Sequence, residues 1–242
     1  MKTLITTLIL IALFTAGCKK GSSSKGSSAT KTYLLSKVTY TAVVGGFTNA
    51  EEYTYDSQNR VTVFNEGNNV FKYAYDSNNN LTTVLTYNSA GSLTATDNYT
   101  YAGNVVTANT FYGDGSVNGS YTFTLNAQQE PTNLSIAFGN IQYQYDGNGN
   151  ATSYSATGAL TQSDSYTYDT KKNPLSMIGA KNLHLIYLAQ GTPITTVNNV
   201  LVDEGYPRNY AYTYNSDGFP VSAVLSTNSG PGSNITYEYI IK

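Results

Sequence analysis

The chain has 242 residues, with 13 Lys and Arg against 15 Asp and Glu. Lys2, Lys19, Lys20, Lys25 and Lys31 hold five of the basic residues, so the part beyond residue 31 carries 8 positive side chains against 15 negative ones, which excludes a basic nucleic-acid surface. A single cysteine excludes an intrachain disulfide, and 23 Tyr without one Trp, among abundant Thr, favour strands over helices.

The chain opens on MKTLITTLILIALFTAGC. One lysine, an apolar run over residues 4–14 and small residues up to Cys18 read as a secretory signal, too short for a stable membrane-spanning helix. Thr15-Ala16-Gly17-Cys18 resembles a bacterial lipobox, which implies cleavage between Gly17 and Cys18 and lipid on Cys18. A chance free thiol is the alternative reading. Residues 1–17 are therefore expected to be a signal peptide, residues 18–31 a lipidated Cys and a tether, and residues 32–242 one domain. The tether, KKGSSSKGSSATK, is flexible by composition and reaches roughly 20 Å. The expected location is the outer membrane of a Gram-negative bacterium, on either side of it, with the lipid as the membrane contact.

From residue 33 onward the sequence repeats itself. Tyr-x-Tyr or Tyr-x-Phe begins at 53, 73, 99, 121, 143, 166, 212 and 237, and glycines at 67, 91, 115, 139, 158, 179, 205 and 230 interleave with it. A fixed period of 20–26 residues marks a repeat architecture; the gap of 46 holds a worn copy near Tyr187. Alternate residues of a strand share a face. Phe71, Tyr73 and Tyr75 oppose Lys72 and Ala74; Ile141, Tyr143 and Tyr145 oppose Gln142 and Gln144. Each strand thus has an aromatic face and a polar one.

The residue after the second Tyr starts a turn. Asp56, Asp76, Asp146, Asp169 and Asn215 are each followed three positions later by Asn59, Asn79, Gly149, Lys172 and Gly218. Asp or Asn bonds the backbone two residues on, and Asn or Gly tolerates a left-handed backbone, so the pattern predicts a type I turn closed by a left-handed residue. Lys172 is the misfit, with Asn173 as its substitute. Near Tyr101 the turn shrinks to Gly103-Asn104. Two such turns per unit leave strands of seven or eight residues. The expected fold is all-β: an antiparallel meander of 16–18 strands in one twisted single-layer sheet, open or partly closed as a roll or half-barrel, with tyrosines lining its inner face. A β-solenoid and a transmembrane barrel are the competing pictures; the latter needs an outer face more apolar than Thr, Gln and Lys.

With Tyr53-x-Tyr55-Asp56, Tyr73-x-Tyr75-Asp76, Tyr143-x-Tyr145-Asp146 and Tyr166-x-Tyr168-Asp169, the chain resembles the YD repeats of Rhs-type and teneurin-type proteins, and in size and layout small Gram-negative lipoproteins with degenerate YD-like hairpins. The resemblance covers residues 33–242 and implies hairpins that spiral into a shell. This chain departs from the large shells in length and has no cargo-like or self-cleaving region, so encapsulation is not expected.

Little in the sequence points to catalysis. His184, the only histidine, lies in the most degraded repeat with no Gly-x-Ser-x-Gly elbow. The acids are mostly turn residues. DGNGN at Asp146 copies the start of a calcium loop, but Thr157 stands where the bidentate acid belongs. The expectation is a scaffold or binding module with no enzymatic activity, cofactor, metal or nucleic-acid partner, monomeric, and in contact with a glycan or an envelope protein. The alternative is a carbohydrate-binding lipoprotein of a glycan-uptake system. Its ligand platform would be Tyr53, Tyr55, Tyr73, Tyr75, Tyr143, Tyr145, Tyr166 and Tyr168, since Tyr rings stack and keep a hydroxyl.

Overall fold

The computed structural model describes residues 31–159, 161–177, 196–228 and 230–242. The chain divides into two units, Met1–Lys31 and Thr32–Lys242; the fold is that of the second. Its described residues form sixteen strands: β1 (Tyr33–Ala42), β2 (Thr48–Tyr55), β3 (Val61–Asn65), β4 (Asn69–Tyr75), β5 (Leu81–Asn88), β6 (Leu93–Ala102), β7 (Val105–Tyr112), β8 (Val117–Leu125), β9 (Pro131–Ile136), β10 (Gly139–Tyr145), β11 (Ala151–Gly158), β12 (Gln162–Lys172), β13 (Asn198–Asp203), β14 (Arg208–Tyr214), β15 (Pro220–Thr227) and β16 (Gly230–Ile241). A short 3-10 turn, Pro174–Met177, follows β12. Each strand pairs antiparallel with its neighbours in sequence, and β1 pairs with β16.

That last pairing corrects the expectation of an open or half-closed sheet: the meander closes into a full barrel. The seam runs from Tyr33↔Ile241 to Ala42↔Ser233, with one bulge at Leu35/Lys37. Reciprocal bonds between Thr32 and Lys242 at 2.9 and 3.0 Å extend it. The reason is the cost of edges. β1 and β16 are 10 and 12 residues long, and left open each would present a row of unpaired N–H and C=O groups.

The turn chemistry is uniform. Asp56 Oδ1 accepts from the Gln58 and Arg60 N–H groups at 2.9 and 3.0 Å. Asp76 accepts from Asn78 and Asn80 at 2.8 Å, and Asp146 from Asn148 and Asn150 at 2.9 Å. Asn88, Asn126 and Asn215 do the same with their amide oxygens. Three residues on, the backbone is left-handed: φ is 63° at Asn59, 68° at Asn79, 67° at Gln129, 89° at Gly149 and 84° at Gly218. These N–H contacts hold the Asp56 and Asp146 carboxyls below their ordinary pKa against a desolvation push upward.

Asp169 departs from this pattern. β12 runs past it to Lys172, and neither Lys172 nor Asn173 is left-handed among the positive-φ residues described. Asn173 instead caps the 3-10 turn, its Oδ1 accepting from the Leu175 N–H at 3.0 Å. The Asp169 carboxylate accepts from the Asn199 N–H and Nδ2, both at 3.1 Å, and from the Tyr214 hydroxyl. It is a latch from β12 to β13 and β14.

The aromatic face points inward. A continuous core joins inward residues of β1–β10 to Ala223 of β15 and Ile235 of β16. Phe123, Val61, Leu81 and Val106 are fully buried, and Tyr53, Phe64 and Phe71 stack in a row with centroids 4.9 and 5.6 Å apart. The outer wall mixes polar groups with exposed aliphatics such as Val117, Val224 and Ile240: Lys37 pairs with Glu52 at 3.0 Å, Lys72 lies 4.7 Å over the Tyr87 ring, and Gln142 and Gln144 are exposed.

Candidate functional site in the barrel lumen

The two tyrosines of a motif have separate jobs. In five of the eight motifs the first is core: Tyr53, Tyr73, Tyr99, Tyr143 and Tyr166 retain at most 8% of their surface, while Tyr121, Tyr212 and Tyr237 are half-buried. The second is half-buried and ties one unit to the unit before it. The Tyr55 hydroxyl donates to the Leu35 carbonyl at 2.6 Å, Tyr75 to Val61 at 2.7 Å, Tyr101 to Leu81 at 2.8 Å, Tyr145 to Pro131 at 2.8 Å, Tyr168 to Ala151 and Tyr239 to Pro220 at 2.7 Å. In five of the six the acceptor follows, directly or within two residues, the turn of the preceding unit or the start of the preceding strand. Burial pushes the Tyr55, Tyr75, Tyr145, Tyr168 and Tyr239 phenols upward, so they stay protonated donors. Seven of the eight tyrosines named as a ligand platform are therefore packed or hydrogen-bonded parts of the wall.

Tyr166 is the eighth, and it lines a cavity of about 370 Å³ within the barrel. The cavity is bounded by Val38 and Tyr40 of β1, Asn199, Val200 and Asp203 of β13, Arg208, Tyr210 and Tyr212 of β14, Leu225 of β15, and Ile235 and Tyr237 of β16, with Asn173, Pro174 and Leu175 entering from the 3-10 turn. Its volume falls at the lower end of small-molecule pockets, roughly 300–1,000 Å³. The Tyr210 and Tyr212 rings are stacked at 6.1 Å. Arg208 stands at the mouth, its side chain 43% exposed and 3.9 Å from Asp203, with its guanidinium 5.2 Å over the Tyr206 ring.

Acids gather beside these rings. Asp203 is pushed up to about 6, first by burial and further by the neighbouring Asp164 carboxyl. Asp164 is 5% exposed; its Oδ1 accepts from the Ser165 N–H at 2.7 Å and from the Gly205 N–H, while Oδ2 lacks a well-formed hydrogen bond among the described residues. Glu51 points inward, accepting from the Tyr53 hydroxyl at 3.1 Å and the Tyr40 hydroxyl at 3.4 Å; burial raises it, against the pull of those two donors. Among the described residues no group of three or more His, Cys, Asp and Glu could hold a metal ion. His184 and the worn repeat near Tyr187 lie outside the described residues.

Sequence reasoning named Tyr166 but missed Tyr40, Tyr210, Tyr212, Tyr237, Asp203 and Arg208. A signal was present: the motif spacing breaks from about 23 residues to 46 between Tyr166 and Tyr212, and much of the cavity wall flanks that break.

No protein-family model matches the chain, and no curated protein matches it. Among solved structures, a porin-like protein from Bacteroides uniformis superposes with a TM-score of 0.51 at 13% identity, over 85% of this chain and 98% of that one. At that identity the likeness is one of fold, an all-β barrel. The Tc holotoxin pore of Photorhabdus luminescens aligns at 13% identity with a TM-score of 0.22, over 80% of this chain and 10% of that chain. No helix among the described residues is long and apolar enough to cross a membrane.

Proposed function

We propose that the protein is a lipid-anchored module of the bacterial cell envelope whose barrel is a rigid YD-like scaffold enclosing a small-ligand site, without catalytic activity. The observation that carries the reading is the tyrosine-lined cavity set beside a fully packed core: one part of the lumen is closed by side chains, and the other leaves rings and polar groups facing open volume. The barrel stands in water on this reading. Lys37, Lys72, Gln142 and Gln144 on its outer wall would otherwise meet hydrocarbon, where a lysine at the bilayer midplane costs about 2–4 kcal/mol. The anchor rests on Thr15-Ala16-Gly17-Cys18 closing an apolar run.

A sugar is the second reading for the ligand, favoured by Tyr rings next to Asn199, Asp203 and Arg208. Two measurements test the proposal. Mass spectrometry of the purified protein is expected to find acyl chains on an N-terminal Cys18, and Cys18→Ala to leave an uncleaved precursor; a mature, unmodified Cys18 extracted without detergent refutes the anchor. Calorimetric titration with a panel of small polar and cationic ligands is expected to find one that binds and loses affinity in Tyr210→Ala; silence across the panel leaves a scaffold alone.

A further inference from the structure

The cavity wall carries a chemical bias beyond its tyrosines. Its acceptors outnumber its cations. Asp203 lines it, the Asp164 carboxyl lies against Asp203 and the Tyr166 hydroxyl with a buried Oδ2 that lacks a well-formed hydrogen bond among the described residues, and Glu51 is reached through the Tyr40 hydroxyl. Among the described residues Arg208 is the only cation lining the cavity, and it stands half in solvent with a 3.9 Å contact to one carboxylate. Ring faces add negative potential of their own, because an aromatic quadrupole attracts cations within about 6 Å of its centroid. Small anions meet repulsion from carboxylates and rings together. A neutral sugar gains ring stacking but brings no charge to Asp203, whose carboxyl burial has driven toward protonation.

We infer that the lumen cavity binds a small organic cation, an alkylated amine or quaternary ammonium group, seated among Tyr40, Tyr210, Tyr212 and Tyr237 and balanced by Asp203 and Asp164. This rests on the reading of the lumen as a ligand site and names the class of ligand. Arg208 then acts as a gate. Its guanidinium already lies over the Tyr206 ring, which shows how a cation is accommodated at the mouth; its loose ion pair with Asp203 and its contact with the Tyr210 hydroxyl give way as a ligand cation enters. Binding restores the ionised form of Asp203, so protons leave the protein when the site fills near pH 6.

The test is isothermal titration of the full chain with choline, with its neutral isostere in which carbon replaces the nitrogen, and with glucose. Choline is expected to bind at least tenfold more tightly than the isostere. At pH 6 its apparent heat is expected to vary between buffers of different ionisation enthalpy, which reports the released protons. Asp203→Asn is expected to weaken choline binding about tenfold. Arg208→Gln, which removes the cation competing for Asp203, is expected to strengthen it. Equal binding of choline and its isostere, glucose binding without choline, or a tenfold loss in Arg208→Gln overturns the cation assignment and leaves the lumen site standing. Silence from all three probes overturns both.

Discussion

The wall from β2 to β10 and the wall from β12 through β16 to β1 are written in the same repeat, yet they end differently. In the first, the inward side chains leave no open volume: Tyr53, Phe64 and Phe71 stack, Tyr99 and Tyr121 share a hydroxyl contact at 3.0 Å, and Phe123 is fully buried. In the second, Tyr40, Tyr210, Tyr212 and Tyr237 stay half-buried around a cavity. A residue type alone does not decide between scaffold and site. What decides is whether the opposite side chain fills the space, and a cylinder of sixteen strands has more lumen than its own side chains fill everywhere.

The sharpest way to break that contrast is to remove one ring from each region. Tyr73→Ala, in the packed wall, is expected to cost about 3–5 kcal/mol, the range for losing a buried large aromatic. Tyr210→Ala borders volume that is already empty and loses fewer contacts, so its cost is expected to fall well below that of Tyr73→Ala. Urea unfolding of both variants measures the difference. Equal midpoint shifts would mean that the cavity wall is packed as tightly as the core.

Next in size is a backbone effect confined to the regular turns. Asn79 sits at φ 68°, where a β-branched side chain is strained by about 1–3 kcal/mol, and its Oδ1 also accepts from Arg60 at 3.2 Å. Asn79→Val is therefore expected to destabilise the barrel more than Asn78→Val, whose position is exposed and not left-handed. Similar urea midpoints for the two would place the strained residue elsewhere. At Asp169, where no left-handed residue follows, Lys172→Val is expected to cost little.

These turns were the most legible part of the sequence, because Asp-x-x-Asn writes its own geometry: a carboxylate that caps two N–H groups and a residue that tolerates positive φ. The strand faces were equally plain, since Lys72 and Gln142 sit one step from Tyr73 and Tyr143. Closure was not legible. Whether β1 meets β16 depends on the accumulated twist and register of all the strands, and no local residue encodes that sum. The cavity was hidden for the same reason: Tyr40 and Tyr237 come together only across the seam, and Asp203 and Tyr166 only through the pairing of β12 with β13. Asp169 misled because its motif matches the others up to the third residue after it.

A smaller effect probes the ties between units. Tyr145→Phe removes a single hydroxyl and leaves the Pro131 carbonyl without that donor, an expected loss of about 0.5–1.5 kcal/mol. Tyr237→Phe, on the cavity side, has no such carbonyl partner described and is expected to change thermal stability less. The melting temperatures of the two variants, compared at one pH, read the difference; a larger loss at Tyr237 would move that ring from the site to the scaffold.

The last expected effect depends on pH and draws the same line between the regions. Asp97 faces inward in the packed wall, in register with Val84, and burial pushes it up to about 6 from an ordinary 3.8. A carboxyl raised in the folded state favours its protonated form there, so the stability it lends is complete below the unfolded value and is lost as pH rises through the folded one. Asp97→Asn removes the penalty for ionising a buried acid. The variant is expected to be the more stable protein at pH 7, and its advantage is expected to shrink as pH falls from about 6 toward 3.8. Asp203 is raised for the same first reason, but it faces open volume and Arg208, so Asp203→Asn is expected to change ligand affinity as well as the pH profile, whereas Asp97→Asn changes the profile alone. Thermal melts of the two variants between pH 4 and pH 7, each with and without choline, separate these outcomes. A choline effect that disappears in Asp97→Asn and survives in Asp203→Asn would exchange the roles assigned to the two walls.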